Sequence, residues 1–214
     1  MAEIIFALDF DKLSEAENWV NKLKYEIDFF KIGLQLFTRY GPPSVEMIKR
    51  YNKKVFLDLK VHDIPKISAK AVEFAAKAGC YSITIHIQAG KSALQWAKKS
   101  RINGFPHIWG VTLLSSLTQG TSMERAQLAS DCQIDGVIVS GEDVEEVSNK
   151  FPELEIVVPG IRPSSYNKKD DQKRTLTPKQ AVDKGADFLV IGRPIKESSD
   201  PIQTVRNIKE ELGG

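Results

Sequence analysis

The sequence predicts an α/β fold: a single (β/α)8 barrel, the TIM-barrel architecture, spanning residues 1–214. Three observations predict it. Short apolar runs recur from one end of the chain to the other. The intervals between them carry helix start and stop signals. Charged residues gather where the runs end, and that end of a barrel strand is where chemistry collects.

The runs are IIFALD (4–9), FFKIGL (29–34), VFLDLK (55–60), SITIHI (82–87), HIWGVTL (107–113), GVIVS (136–140), EIVVPG (155–160) and FLVIGR (188–193). Each is short, often β-branched and bounded by turn residues, as buried parallel strands are. Helix signals fill the intervals. Ser14 followed by Glu17 has the pattern of a capping box after the first run. Gly79 in KAGC and Gly185 in DKGAD sit at helix C-caps just before new strands. Thr177 and Gln180 repeat the capping box, with Pro178 in the first helical turn. Asp200-Pro201 opens the last helix in the same way. A doubly wound open sheet would need fewer strands, and no GxGxxG follows the first run. Most connections are lean, but residues 161–176, IRPSSYNKKDDQKRTL, form a long polar interval after the seventh run. Loops of that length are usually lids or disordered, so this one is expected to be mobile.

Composition excludes several classes. Lys+Arg 30 against Asp+Glu 28 leaves a formal charge of +2, which argues against nucleic acid or an anionic membrane as the main partner. Cys80 and Cys132 are far apart and lack CxxC spacing, so neither a disulfide framework nor a zinc site is expected. A reducing, cytoplasmic location fits. The N-terminal MAEIIFALDFD has no basic n-region, and no run approaches the length of a membrane span.

Strand phase then sorts the charges. Phe56, Asp58 and Lys60 share one face of the third strand, opposite Leu57 and Leu59. Ala7 and Asp9 oppose Phe6 and Leu8, while Phe29, Lys31 and Gly33 oppose Phe30, Ile32 and Leu34. The apolar set should face the helices and the charged set should line the barrel mouth. Buried charges must be paired, so Lys31, Asp58, Lys60 and Asp63 are expected to neutralise one another. A lysine between carboxylates stays protonated and serves as a proton donor. A carboxylate beside an incoming anion repels it by roughly 4 kcal/mol at about 4 Å and an effective dielectric near 20. A reaction that removes that negative charge relieves the repulsion, which suits loss of carboxylate or formation of a carbanion. Gly192 and Arg193 at the end of the eighth strand suit phosphate, with Gln172, Lys173 and Arg174 as further donors in the long loop. A metal site would draw on Asp58, His62, Asp63 and His86, but His62 should face away from Asp63 in a continued strand and nothing resembles HExxH. Trp109 reads as barrel packing.

These residues resemble the orotidine 5′-phosphate decarboxylase family along the whole chain. FALDF (6–10), FFKIGLQLFTRYGP (29–42), FLDLKVHDIP (56–65), GVTLLSS (110–116), PGIRP (159–163), DQKRTLTP (171–178) and VIGRPI (190–195) match its blocks in order. The resemblance implies decarboxylation of orotidine 5′-monophosphate to uridine 5′-monophosphate in pyrimidine biosynthesis, without cofactor or metal. It implies a homodimer in which the working Asp63 comes from the neighbouring subunit. Asp58 would lie against the substrate carboxylate, and Lys60 would protonate the C6 carbanion. Lys31 and Asp63 would complete the array. Asp9 and Lys31 would bind ribose hydroxyls, and Ser115 the pyrimidine edge. Gln172 and Arg193 would hold phosphate, with Pro159, Arg162 and Gly192 completing the substrate site. One position departs: Ile67 stands where the family usually has threonine, which normally contacts the sugar across the dimer interface. The nearest alternatives share DxKxxD. They are the Mg2+-dependent 3-keto-L-gulonate 6-phosphate decarboxylase and hexulose-6-phosphate synthase, which generally carry an acid in place of Lys31. A nucleotide-binding barrel without turnover is the non-enzymatic alternative.

Overall fold

A computed structural model describes residues 2–113, 122–166 and 175–213. The strands are β1 (Glu3–Ala7), β2 (Phe29–Gly33), β3 (Lys54–Val61), β4 (Ser82–His86), β5 (His107–Val111), β6 (Gly136–Ile138), β7 (Glu155–Val158) and β8 (Phe188–Ile191). They form a closed parallel barrel in chain order, with β8 returning to β1. The chain is therefore a (β/α)8 barrel, and each predicted run supplies one strand.

The helices among the described residues are α1 (Leu13–Leu23), α2 (Leu34–Tyr40), α3 (Pro42–Lys49), α4 (Pro65–Lys77), α5 (Lys91–Lys99), α6 (Ser122–Asp131), α7 (Asp143–Lys150), α8 (Pro178–Asp183), α9 (Arg193–Lys196) and α10 (Pro201–Gly213). The capping box at Thr177 is present, with both reciprocal bonds to Gln180. Asp200 accepts from the Gln203 N–H at the start of α10. Gly79 and Gly185 have φ of +69° and +96°, the left-handed conformation that closes a helix before a strand. The expected box at Ser14 is absent. The N-cap of α1 is Lys12, which makes no side-chain cap bond, so Ser14 already lies inside the helix.

Strand alternation divides the core into two layers. Ile5, Ala7, Phe29, Phe56, Trp109, Val157 and Phe188 fill the barrel interior. Phe6, Leu8, Phe30, Ile32, Leu57, Ile83 and Ile85 face outward into the layer beneath the helices. Leu34 departs from the expected set: the chain turns into α2 there, and the side chain is 52% exposed. Trp109 is wholly buried, edge-on to Phe56, and donates its indole N–H to Glu155 at 2.7 Å. Cys80 and Cys132 are buried free thiols. Among the described residues, no helix is long and apolar enough to cross a membrane.

Candidate active site

At the C-terminal mouth of the barrel, four side chains from two strands and the loop after β1 form a line of alternating charge. Lys31 on β2 lies between two carboxylates, 3.3 Å from Asp9 and 3.5 Å from Asp58. Asp58 on β3 then receives Lys60 at 2.7 Å. The side chains of Lys31 and Asp58 are each 11% exposed, whereas Lys60 and Asp9 open towards solvent. Burial works against both buried charges, but the partners outweigh it. For Asp58, the charges of Lys31 and Lys60 and the bonds from Lys60 and Thr84 hold the pKa below its ordinary value. For Lys31, Asp58 and Asp9 hold the pKa above its ordinary value.

Local backbone geometry places these groups. A side chain at Gly33 would put its Cβ 3.0 Å from the Lys31 amine and 3.4 Å from Asp9, so glycine leaves the lysine its room. Simple alternation fails at Lys60. Leu57 pairs with Ile83 and Val61 with Ile85, so β3 bulges opposite β4. Lys60 has φ +49°, in the left-handed region that a lysine rarely adopts. Thr84 stabilises this arrangement. Its hydroxyl accepts from the Lys60 N–H at 2.8 Å and donates to Asp58 at 3.0 Å. Sequence reasoning missed Thr84, because a threonine in a strand normally reads as β-propensity. Its one signal was phase, since it shares a face with Ser82 and His86. Lys196 was also missed: it donates to the Asp9 carbonyl at 3.0 Å and lies over Phe10.

A pocket of about 200 Å³ opens at this line of charges, bordered by Asp9, Lys31, Asp58, Pro159, Arg162, Gly192 and Arg193. The structure thus gathers residues from the ends of β1, β2, β3, β7 and β8 into one concavity. Ser115 and Gln172 lie outside the described residues, as do residues 167–174 of the 161–176 loop. Asp63 is not brought in. It is exposed, accepts from the Ile64 N–H at 2.7 Å, and makes no ion pair with any of the described residues. Asp9, not Asp63, is therefore the fourth charge of the array within one chain. His62 and His86 stack on each other, with ring centroids 5.1 Å apart. Among the described residues, no cluster of three or more His, Cys, Asp or Glu could hold a metal ion. A wider cleft of about 530 Å³ lies at the opposite end of the barrel, beside His107, Asp135 and Glu155, and holds none of the predicted site residues.

Fold and site together define a (β/α)8-barrel enzyme with a lysine–carboxylate array at its catalytic mouth. The sequence model of the orotidine 5′-phosphate decarboxylase / HUMPS family matches residues 2–208, and the chain belongs to that family. Among curated relatives, orotidine 5′-phosphate decarboxylase of Trichlorobacter lovleyi is 39% identical, covering 98% of this chain and 95% of the relative. That of Lawsonia intracellularis is 37% identical, covering 97% and 98%. The crystal structure of orotidine 5′-phosphate decarboxylase from Lactobacillus acidophilus superposes with a TM-score of 0.84 at 29% identity, covering 100% of both chains.

Proposed function

We propose that this chain decarboxylates orotidine 5′-monophosphate to uridine 5′-monophosphate and CO2, in pyrimidine biosynthesis. The observation that carries the reading is the alternating line Asp9–Lys31–Asp58–Lys60 beside a pocket that also presents Arg162 and Arg193. Cations at one side of the pocket suit a phosphate, and a carboxylate held ionised at the other suits expulsion of a second carboxylate.

Asp58 stays charged as the substrate carboxylate approaches. The C6–carboxylate bond breaks, CO2 leaves, and the electron pair stays on C6. The Lys60 ammonium gives its proton to that carbon and is later reprotonated from solvent. Lys31 holds Asp58 and, with Asp9, takes the ribose hydroxyls. Pro159, Gly192 and Arg193 border the phosphate end, with Gln172 from the 161–176 loop closing over it and Ser115 meeting the pyrimidine edge. The whole chain acts as one barrel unit in the cytoplasm, and the reaction needs no metal or cofactor. Phosphate contacts remote from C6 lower the chemical barrier by closing a dry site.

The working unit is a homodimer. Asp63 is exposed near the mouth, and its neighbours Ile64 and Ile67 are apolar and exposed, at 63% and 46%. Burying these on a second copy would deliver the partner's Asp63 to Lys60. The test is Lys60→Ala, assayed for turnover and for uridine 5′-monophosphate binding. The expected result is loss of nearly all turnover with binding retained; turnover within about tenfold of the parent would contradict the role of Lys60.

A further inference from the structure

We propose that Tyr166 and Glu197 are positioning residues for Arg162, forming a shelf that fixes its guanidinium at the anion end of the pocket. The proposal rests on the reading that this pocket binds a phosphorylated substrate, and it adds two residues outside the pocket's border. Arg162 is anchored at its base. Its N–H donates to the Leu176 carbonyl at 2.9 Å, and Ile161 bridges to Leu176, so both ends of the long interval are tied together. Its Nη1 donates to the Ile161 carbonyl at 2.9 Å. The guanidinium then lies over the Tyr166 ring, with Cζ 5.6 Å from the centroid, inside the range of a cation–π contact.

The ring is itself held. The Tyr166 N–H donates to the Pro163 carbonyl at 2.8 Å, and its hydroxyl donates to Glu197 Oε2 at 3.2 Å. Glu197 closes α9, where its N–H donates to the Arg193 carbonyl at 2.8 Å. One residue therefore links both pocket arginines, Arg193 through the backbone turn and Arg162 through an aromatic face. An arginine loses much rotamer freedom when it clamps an anion. A shelf that restricts it beforehand reduces that loss and tightens binding.

The test is a double-mutant cycle on kcat/KM for orotidine 5′-monophosphate, combining Tyr166→Leu with Arg162→Ala. Tyr166→Leu should lower kcat/KM about two- to fivefold beside Arg162, and should have no further effect once Arg162 is alanine. Tyr166→Phe, which keeps the ring and loses the bond to Glu197, should restore part of the loss. If Tyr166→Leu does not fold, as read by thermal unfolding, Tyr166→Phe and Glu197→Gln in the same cycle decide. An equal loss with and without Arg162, or no loss in either, overturns the proposal while leaving the decarboxylase reading intact. A parent chain with no turnover sinks that reading and the proposal with it.

Discussion

Lys60 sits in a backbone conformation that costs a non-glycine residue about 1–3 kcal/mol. The bulge that imposes it brings the amine to 2.7 Å from Asp58. Lys60→Gly should therefore unfold at higher denaturant than Lys60→Ala, by about 1 kcal/mol, with both inactive. A glycine variant less stable than the alanine one would contradict the strain. Thr84→Val keeps the shape but orphans the Lys60 N–H and removes the hydroxyl bond to Asp58 Oδ1. It should cost about 1–3 kcal/mol in denaturant unfolding and also lower kcat. The pH dependence follows from the shifted pair. Asp58 has a depressed folded pKa, so its stabilisation is present above the ordinary carboxylate value and lost as pH falls through the folded one. Lys31 has a raised folded pKa, so its stabilisation is present below the ordinary lysine value and lost as pH rises through the folded one. Thermal unfolding should show a plateau, with the acid-side loss beginning below about pH 4. Asp58→Asn should flatten that acid limb.

Among the elements, side chains of β5 and β7 meet across β6 at the barrel floor, where His107 and Glu155 lie 2.9 Å apart. The hydrogen bond to Glu155 outweighs burial and holds the imidazole pKa above its ordinary value. Its stabilisation is complete below about pH 6.5 and fades as pH rises through the folded value. Unfolding midpoints of His107→Gln should lack that neutral-range decline; an unchanged decline would place its origin elsewhere. Strand identity was legible in the sequence because apolar runs of fixed length tolerate little ambiguity. The Thr177 box was legible because proline fixed its position. Ser14 misled because Ser-x-x-Glu also occurs within helices, and here the helix begins before it. The Lys60 bulge was not legible. It depends on a hydroxyl from the neighbouring strand, and nothing local in DLKV signals a left-handed residue. At the site, strand phase set Lys31 and Asp58 at the mouth, whereas Lys60 reaches it through the bulge and Asp63 belongs to a loop whose direction no periodicity fixes.

For the whole molecule, the isolated chain leaves Asp63 facing solvent and Ile64 and Ile67 uncovered. If the partner's Asp63 completes each site, mixing inactive Lys60→Ala and Asp63→Asn chains should regenerate one intact site in each mixed dimer. Exchange should then restore roughly a quarter of parental turnover. No recovery in a mixture shown to contain mixed dimers would contradict the shared site. Ultraviolet absorbance reads whether the charge array drives loss of a carboxylate without a metal. Orotidine 5′-monophosphate is mixed with the purified chain in excess EDTA and the orotate chromophore is followed. That absorbance should be lost rapidly. A constant absorbance, with activity on a sugar phosphate once Mg2+ is supplied, would contradict it and place the chain's chemistry with the metal-dependent relatives.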